Sequence, residues 1–386
     1  MSTTTLLENA IDAVVLFDEM ITSGDKRIGV ATLNSEKSLN ALSLAMVELL
    51  LPQMQRWKDD ADIAMVILQG AGDKAFCAGG DIRDLYHAMK AEPETFQPYV
   101  TDFFQKEYTL DYLIHTFEKP VLVWGNGIVM GGGLGLMAGA SHRIVTASSR
   151  IAMPEMAIGL YPDVGGSWFL NRMPAGCGLF LGLTGASINA ADAKFIDLAD
   201  YFIPHDHKAA VIEQLKTIRW GNTVALNHQK LTDVLLAVEQ QQLHQQPASQ
   251  IRLHQAAITQ LANCADLASA IQHILTMPNE DTWLSKAKAS LQYGSPVTAH
   301  IVWRLLQLGQ SKILADSFRL ELGLSVQCGR LGEFTEGVRA LLIDKDQKPQ
   351  WRYPDVASVP SEVIDTLFSS PWSASAHPLA ALGRVH

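Results

Sequence analysis

Between Lys119 and Leu170 the chain brings together two kinds of group that act on a polarised carbonyl, glycine N–H donors and carboxylates. An apolar run from Val121 to Trp124 stops at Gly125-Asn126-Gly127. The triplet Gly131-Gly132-Gly133 then opens a small-residue helical pattern running from Leu134 to Ala140. Glycine permits close backbone approach and positive φ. At a helix start it leaves free N–H groups at the positive end of the dipole. Further on come two acids, Glu155 and Asp163, each directly after a proline. Pro154 sets a helix start with Glu155 in its first turn, and Gly159 ends it. Asp163 precedes Gly165-Gly166 and a helical run, so an N-cap is its plain structural alternative. Upstream, Phe76-Cys77-Ala78-Gly79-Gly80-Asp81 is a second glycine turn leading into a helix. There Gly80 offers another N–H, or Asp81 simply caps the helix. Donors of this kind with acids downstream fit a site that stabilises an oxyanion and moves protons.

Other chemistries fit less well. Gly125-x-Gly127-x-x-x-Gly131 departs from the dinucleotide spacing and lacks a well-placed ribose acid. No phosphate-binding Gly-Lys-Ser/Thr loop or Gly-x-Ser-x-Gly nucleophile motif occurs. His205-Asp206-His207 reads as a solvated cluster rather than a metal site.

These groups must be held by an alternation of strands and helices. Ala13–Phe17 and Ile28–Leu33 read as a strand pair. Ser43 is placed to cap a helix with Met46, Leu49, Leu50 and Met54 at helical spacing. Ile63–Leu68 is a buried strand, a helix is expected from about Tyr99 to Phe117, and His142–Thr146 is another strand. Strands end near residue 205. Beyond it helices are expected over Ala209–Ile218, Thr223–Gln242, Ile251–Leu261, Leu267–Leu275, Val297–Leu308 and Ser311–Arg330. The division is thus a strand-rich region over 1–205 and a helical region over 206–386.

A hydrophobic content of 48% and a charged content of 18% over 386 residues are those of a globular enzyme. A formal charge of −10 argues against nucleic acid as a partner. The uncharged stretch Val121–Ala140 has the length of a membrane span, but its glycines and Asn126 fit a strand and turn better, and no membrane partner is expected. Cys77, Cys177, Cys264 and Cys328 lie without metal-type spacing and read as reduced thiols. The N-terminus shows no secretory or organelle signal, so a cytoplasmic location is expected.

Three segments, AFCAGGDI, GIVMGGGLGL and MPEMAIGLYPDVGG, resemble the oxyanion and acid segments of the crotonase (enoyl-CoA hydratase/isomerase) superfamily. The similarity runs from about Ile28 to Trp351, includes EFTEGVRALLIDKDQKPQW, and is strongest to the 3-hydroxyisobutyryl-CoA hydrolase subgroup. What it implies is an α/β (α+β) fold, a spiral of ββα units followed by a helical C-terminal region that completes the site or contacts neighbours in a homo-oligomer. It implies an acyl-CoA substrate whose thioester oxygen sits between the N–H groups of Gly80 and Gly132. The substrate-contacting acids fall on Glu107, Glu155 and Asp163. No cofactor is implied, CoA being part of the substrate, and no metal. Hydratases of the superfamily carry a glutamate where this chain has Gly135, and many have glycine where it has Asp163. That pattern fits hydrolysis of a short-chain 3-hydroxyacyl-CoA, as in valine catabolism. A hydratase or isomerase, or a catalytically silent CoA-binding protein, are the alternatives.

Overall fold

The computed structural model describes residues 13–278, 281–309 and 311–384. Two strands, β1 (Val15–Ile21) and β2 (Arg27–Leu33), pair antiparallel, and Ser43 caps the helix Leu44–Asp59 by accepting from the Met46 N–H at 3.2 Å. Then a unit repeats. β3 (Ile63–Gly70) is followed by β4 (Ala75–Cys77), β5 (Val121–Gly125) by β6 (Ile128–Met130), and β7 (His142–Val145) by β8 (Arg150–Ala152). The first strand of each pair joins a six-stranded sheet of order β1-β2-β3-β5-β7-β9, closed by β9 (Tyr201–Phe202). The second joins a three-stranded sheet of order β4-β6-β8. From β2 onward the large sheet is parallel. With helices Ile82–Ala91 and Gly132–Ala138 following two of the pairs, this is the spiral of ββα units that the family resemblance implies.

After β9 every described element is helical. The compact units, however, do not divide near residue 205. One comprises Met1–Gly80, Leu113–Ile151 and Asn189–Ser249; the other comprises Asp81–Tyr112, Ala152–Ile188 and Gln250–His386. The expected split at 205 follows the end of the strands, whereas packing gathers segments far apart in sequence. The first unit's core is Ile28, Met65, Ile67, Leu122, Trp124 and Ile144 from the sheet, covered by Leu231 and Leu235 of the helix Val224–Gln240. Val121–Ala140 folds as strand, strand and short helix, and no described helix is long and apolar enough to cross a membrane.

Most helix boundaries agree with the periodicity, but helices Glu333–Val338 and Ser361–Leu367 lie beyond the expected ones, and two further places differ. Ile251–Leu261 is broken at His254, whose ring reaches Asp281 Oδ2 at 2.5 Å. An unanticipated helix, Thr282–Tyr293, is capped by Asp281, which accepts from the Leu284 N–H at 2.8 Å.

Candidate active site

The glycine donors belong to the first unit, and their common geometry comes from the small sheet. β4 and β6 are parallel neighbours with Cys77 opposite Val129. Gly80 and Gly132 each lie three residues beyond those partners, so the two glycine turns leave adjacent strand ends in the same direction. Gly79 (φ +109) bends the first turn, and the Leu42 N–H donates to its carbonyl at 2.8 Å. Gly131 (φ +47) bends the second and is the N-cap of the helix Gly132–Ala138, which puts the Gly132 N–H among the first-turn donors without an intrahelical acceptor. Gly133 has to be glycine, since a Cβ there would lie 2.4 Å from the Cys77 carbonyl oxygen.

The acids belong to the second unit. Glu155 sits in the 3-10 helix Pro154–Ile158, ended by Gly159 in the left-handed region (φ +68). A neighbouring helix rides directly on this turn: a Cβ on Gly159 would be 2.5 Å from the Glu333 carbonyl oxygen, and one on Gly337 2.3 Å from the Ile158 carbonyl carbon. Asp163 opens a strained turn. Val164, buried and β-branched, has φ +50 and Gly165 has φ +88. Backbone strain of this kind costs about 1–3 kcal/mol and needs its surroundings to enforce it. Here the enforcing group is Glu321, whose carboxyl accepts from the Gly165 N–H at 2.8 Å, the Ser167 N–H at 2.9 Å and the Ser167 hydroxyl. Asp163 is not the N-cap of the following helix; Gly165 is. Its side chain is instead held by Tyr108, whose Oη lies 2.6 Å from Asp163 Oδ2.

Glu107 lies on the helix Pro98–His115 with Asp111 one turn further on. Glu107, Asp111, Glu155, Asp163 and Glu321 are all at most 5% exposed. Both carboxyl oxygens of Asp111 and Oε2 of Glu155 have no hydrogen-bond partner. Loss of water raises every one of these acids, and the charges that act on them are mainly one another's. Burial and then Asp163 push Glu155 well above the usual carboxyl range, and the same two causes raise Glu107. Burial and then Glu107 raise Asp111. Burial lifts Asp163 to about 6 against the hydrogen bond to Tyr108, and Glu321 to about 8 against its three donors. Such a set releases its protons one at a time, which suits proton transfer.

The second unit therefore gathers Glu107, Glu155 and Asp163, while Gly80 and Gly132 are paired in the first. Sequence reasoning passed over Asp111, Glu321, Tyr108, Tyr161 and Ser325. The signal was there in spacing: Ser317, Glu321 and Ser325 recur every fourth residue on the helix Leu314–Leu331 and are all fully buried. Among the described residues no cluster able to hold a metal ion occurs, and His205 instead accepts from the Trp124 indole N–H at 3.1 Å.

Twin glycine turns at parallel strand ends, a ββα spiral and buried acids define a crotonase-type protein. The model described as enoyl-CoA hydratase/isomerase matches residues 28–368, and the chain belongs to that family. A 3-hydroxyisobutyryl-CoA hydrolase, mitochondrial, of Danio rerio is 36% identical over 369 residues, 95% of this chain and 92% of the relative. The protein of the same name from Homo sapiens is 35% identical over 345 residues, 89% of this chain and 86% of the relative. Among solved structures, an enoyl-CoA hydratase from Rhodobacter sphaeroides has a TM-score of 0.78 at 31% identity, covering 93% of this chain and 98% of that one. A carnitinyl-CoA dehydratase from Mycobacterium thermoresistibile has a TM-score of 0.80 at 29% identity, covering 93% and 97%.

Proposed function

We propose that this chain hydrolyses a short-chain 3-hydroxyacyl-CoA thioester of the 3-hydroxyisobutyryl-CoA type, the substrate class in the names of its relatives. The observation that carries the choice of reaction is where the acids stand. Gly135, inside the helix Gly132–Ala138, leaves the hydratase position without a carboxylate, while Asp163 supplies a buried one in Coulombic contact with Glu155.

Attack on a thioester carbonyl places negative charge on its oxygen, and the N–H groups of Gly80 and Gly132 are the donors proposed to hold it. One such donor is worth roughly 10²–10³ in rate. Two buried carboxyls in Coulombic contact do not both ionise readily, so the Glu155–Asp163 pair holds one proton near neutrality. Glu155 takes a proton from the attacking water as the new C–O bond forms. As the C–S bond breaks, Asp163 returns its proton to the departing CoA thiolate. Glu107 contacts the acyl portion, and Asp163 also faces its hydroxyl. No cofactor enters these steps.

The experiment measures CoA-thiol release from 3-hydroxyisobutyryl-CoA beside the ultraviolet change on hydration of crotonyl-CoA. Thiol release with negligible hydration is expected. Comparable rates would restore the hydratase reading.

A further inference from the structure

Four oxygen–oxygen contacts run in line through the interior of the acid-bearing unit. Asp163 Oδ2 lies 2.6 Å from Tyr108 Oη, and Tyr108 Oη lies 2.7 Å from Ser325 Oγ. Ser325 Oγ lies 2.7 Å from Tyr161 Oη, which in turn lies 2.7 Å from the main-chain oxygen of Glu321. Tyr108, Tyr161 and Ser325 are fully buried, so water does not compete for these contacts. A contact this short between oxygens holds a proton. The three hydroxyls bring three protons, and the carbonyl brings none. With Asp163 ionised, one of the four contacts is left as two lone pairs facing each other. With a proton on Oδ2 the count closes: Asp163 donates to Tyr108, Tyr108 to Ser325, Ser325 to Tyr161, and Tyr161 to the Glu321 carbonyl.

From this count we infer that Tyr108, Ser325 and Tyr161 are positioning residues that keep a proton on Asp163 Oδ2 and leave Glu155 as the ionised member of the pair. The inference rests on the thioester-hydrolase reading of those two acids and adds to it the device that assigns the base. The titratable groups that face Asp163 all ionise to anions; against them, the Tyr108 hydrogen bond and a main-chain N–H favour the Asp163 carboxylate. The facing groups are Glu107, Tyr108 and Asp111 from the helix Pro98–His115, Glu155 and Tyr161 from its own segment, and Glu321 and Cys328 from the helix Leu314–Leu331. Burial raises Asp163 to about 6, opposed by the Tyr108 hydroxyl where it donates and by a main-chain N–H. The proton count through Ser325 and Tyr161 reverses the direction of the Tyr108 bond. Asp163 then starts the cycle as the acid that protonates the thiolate, and Glu155, with Oε2 free of partners, starts it as the base.

The test is carbon NMR of the full chain labelled at the aspartate carboxyl, with the Asp163 signal identified by its loss in Asp163→Asn. Tyr161→Phe and Ser325→Ala each leave contacts that the remaining hydroxyls satisfy with Asp163 ionised. Each should therefore lower the Asp163 pKa by about one unit, the worth of one hydrogen bond. A merely structural role predicts no such fall. An unchanged or raised pKa in both variants overturns the inference, and two variants guard against one failing to fold. Turnover of Asp163→Asn is read separately. A wild-type rate there would refute the catalytic role of Asp163, whereas the carboxyl titration decides the hydroxyl chain either way.

Discussion

Replacing Gly159 by alanine tests whether the backbone contact beneath Glu155 matters to the chemistry. At φ +68 an L-residue costs about 1–2 kcal/mol. The new Cβ would also lie 2.5 Å from the Glu333 carbonyl oxygen, 2.6 Å from its carbon and 3.0 Å from the Phe334 nitrogen. Backbone cannot rotate away as a side chain can, and overpacking of this sort adds about 1–3 kcal/mol. Gly332→Ala is the matched control: φ is +94 but nothing lies within 4 Å of the added carbon. Urea unfolding should thus show Gly159→Ala less stable than Gly332→Ala by about 1–3 kcal/mol. The strain has to be relieved by moving the turn that carries Glu155, whose carbonyl accepts from the Gly159 N–H. Since a displacement of about 1 Å can cost 10²-fold in rate, we expect roughly a tenfold loss of kcat/KM in thiol release for Gly159→Ala. Gly332→Ala should stay within about twofold of wild type. Equal destabilisation of both variants, or full turnover by Gly159→Ala, would refute the argument.

Glu155→Gln should abolish hydrolysis by at least about 10²-fold while leaving binding of a CoA ester within a few-fold, measured by equilibrium dialysis; retention of a tenth of wild-type turnover contradicts the assigned role. Wild type should prefer 3-hydroxyisobutyryl-CoA over isobutyryl-CoA by roughly ten- to a hundredfold in kcat/KM, and Asp163→Asn should compress that ratio. Equal values for the two esters in wild type would remove hydroxyl recognition from Asp163. Glu321 keeps its proton up to about pH 8 in the folded chain but releases it near the ordinary glutamate value once unfolded. Its contribution to stability is therefore complete below about pH 4.5, is lost progressively as pH rises toward 8 and is absent above it, a change of at most about 5 kcal/mol. Melting temperature against pH between 5 and 9 should fall less steeply for Glu321→Gln, and parallel curves would contradict it.

Much of this site is legible in the sequence because its parts are local. Gly80 and Gly132 announce themselves as glycine turns before helices, and Pro154 and Gly159 bracket Glu155 within a single turn. Glu107 carries no such local mark; it entered only through the family resemblance. Asp111 and Glu321 were overlooked because a charged residue on an amphipathic helix ordinarily faces water, and here both are fully buried. The N-cap alternative for Asp163 fails for a related reason: Tyr108, fifty-five residues upstream, takes its carboxyl. Long-range packing likewise divides the chain into interleaved units, which no shift in composition along the sequence reveals.

The crowding of acids has a consequence for what happens after the thioester is cut. On the proposed placement of the acyl group, hydrolysis would turn a neutral group into a carboxylate among side chains whose charged neighbours are other acids. Like charges in a water-poor interior repel strongly. On that placement the substrate would be tolerated because its reacting end carries no charge, and the product would be expelled because it does. Turnover would then be limited by chemistry rather than by departure of the hydroxy acid, and the free acid should be a feeble inhibitor beside an uncharged amide of the same shape.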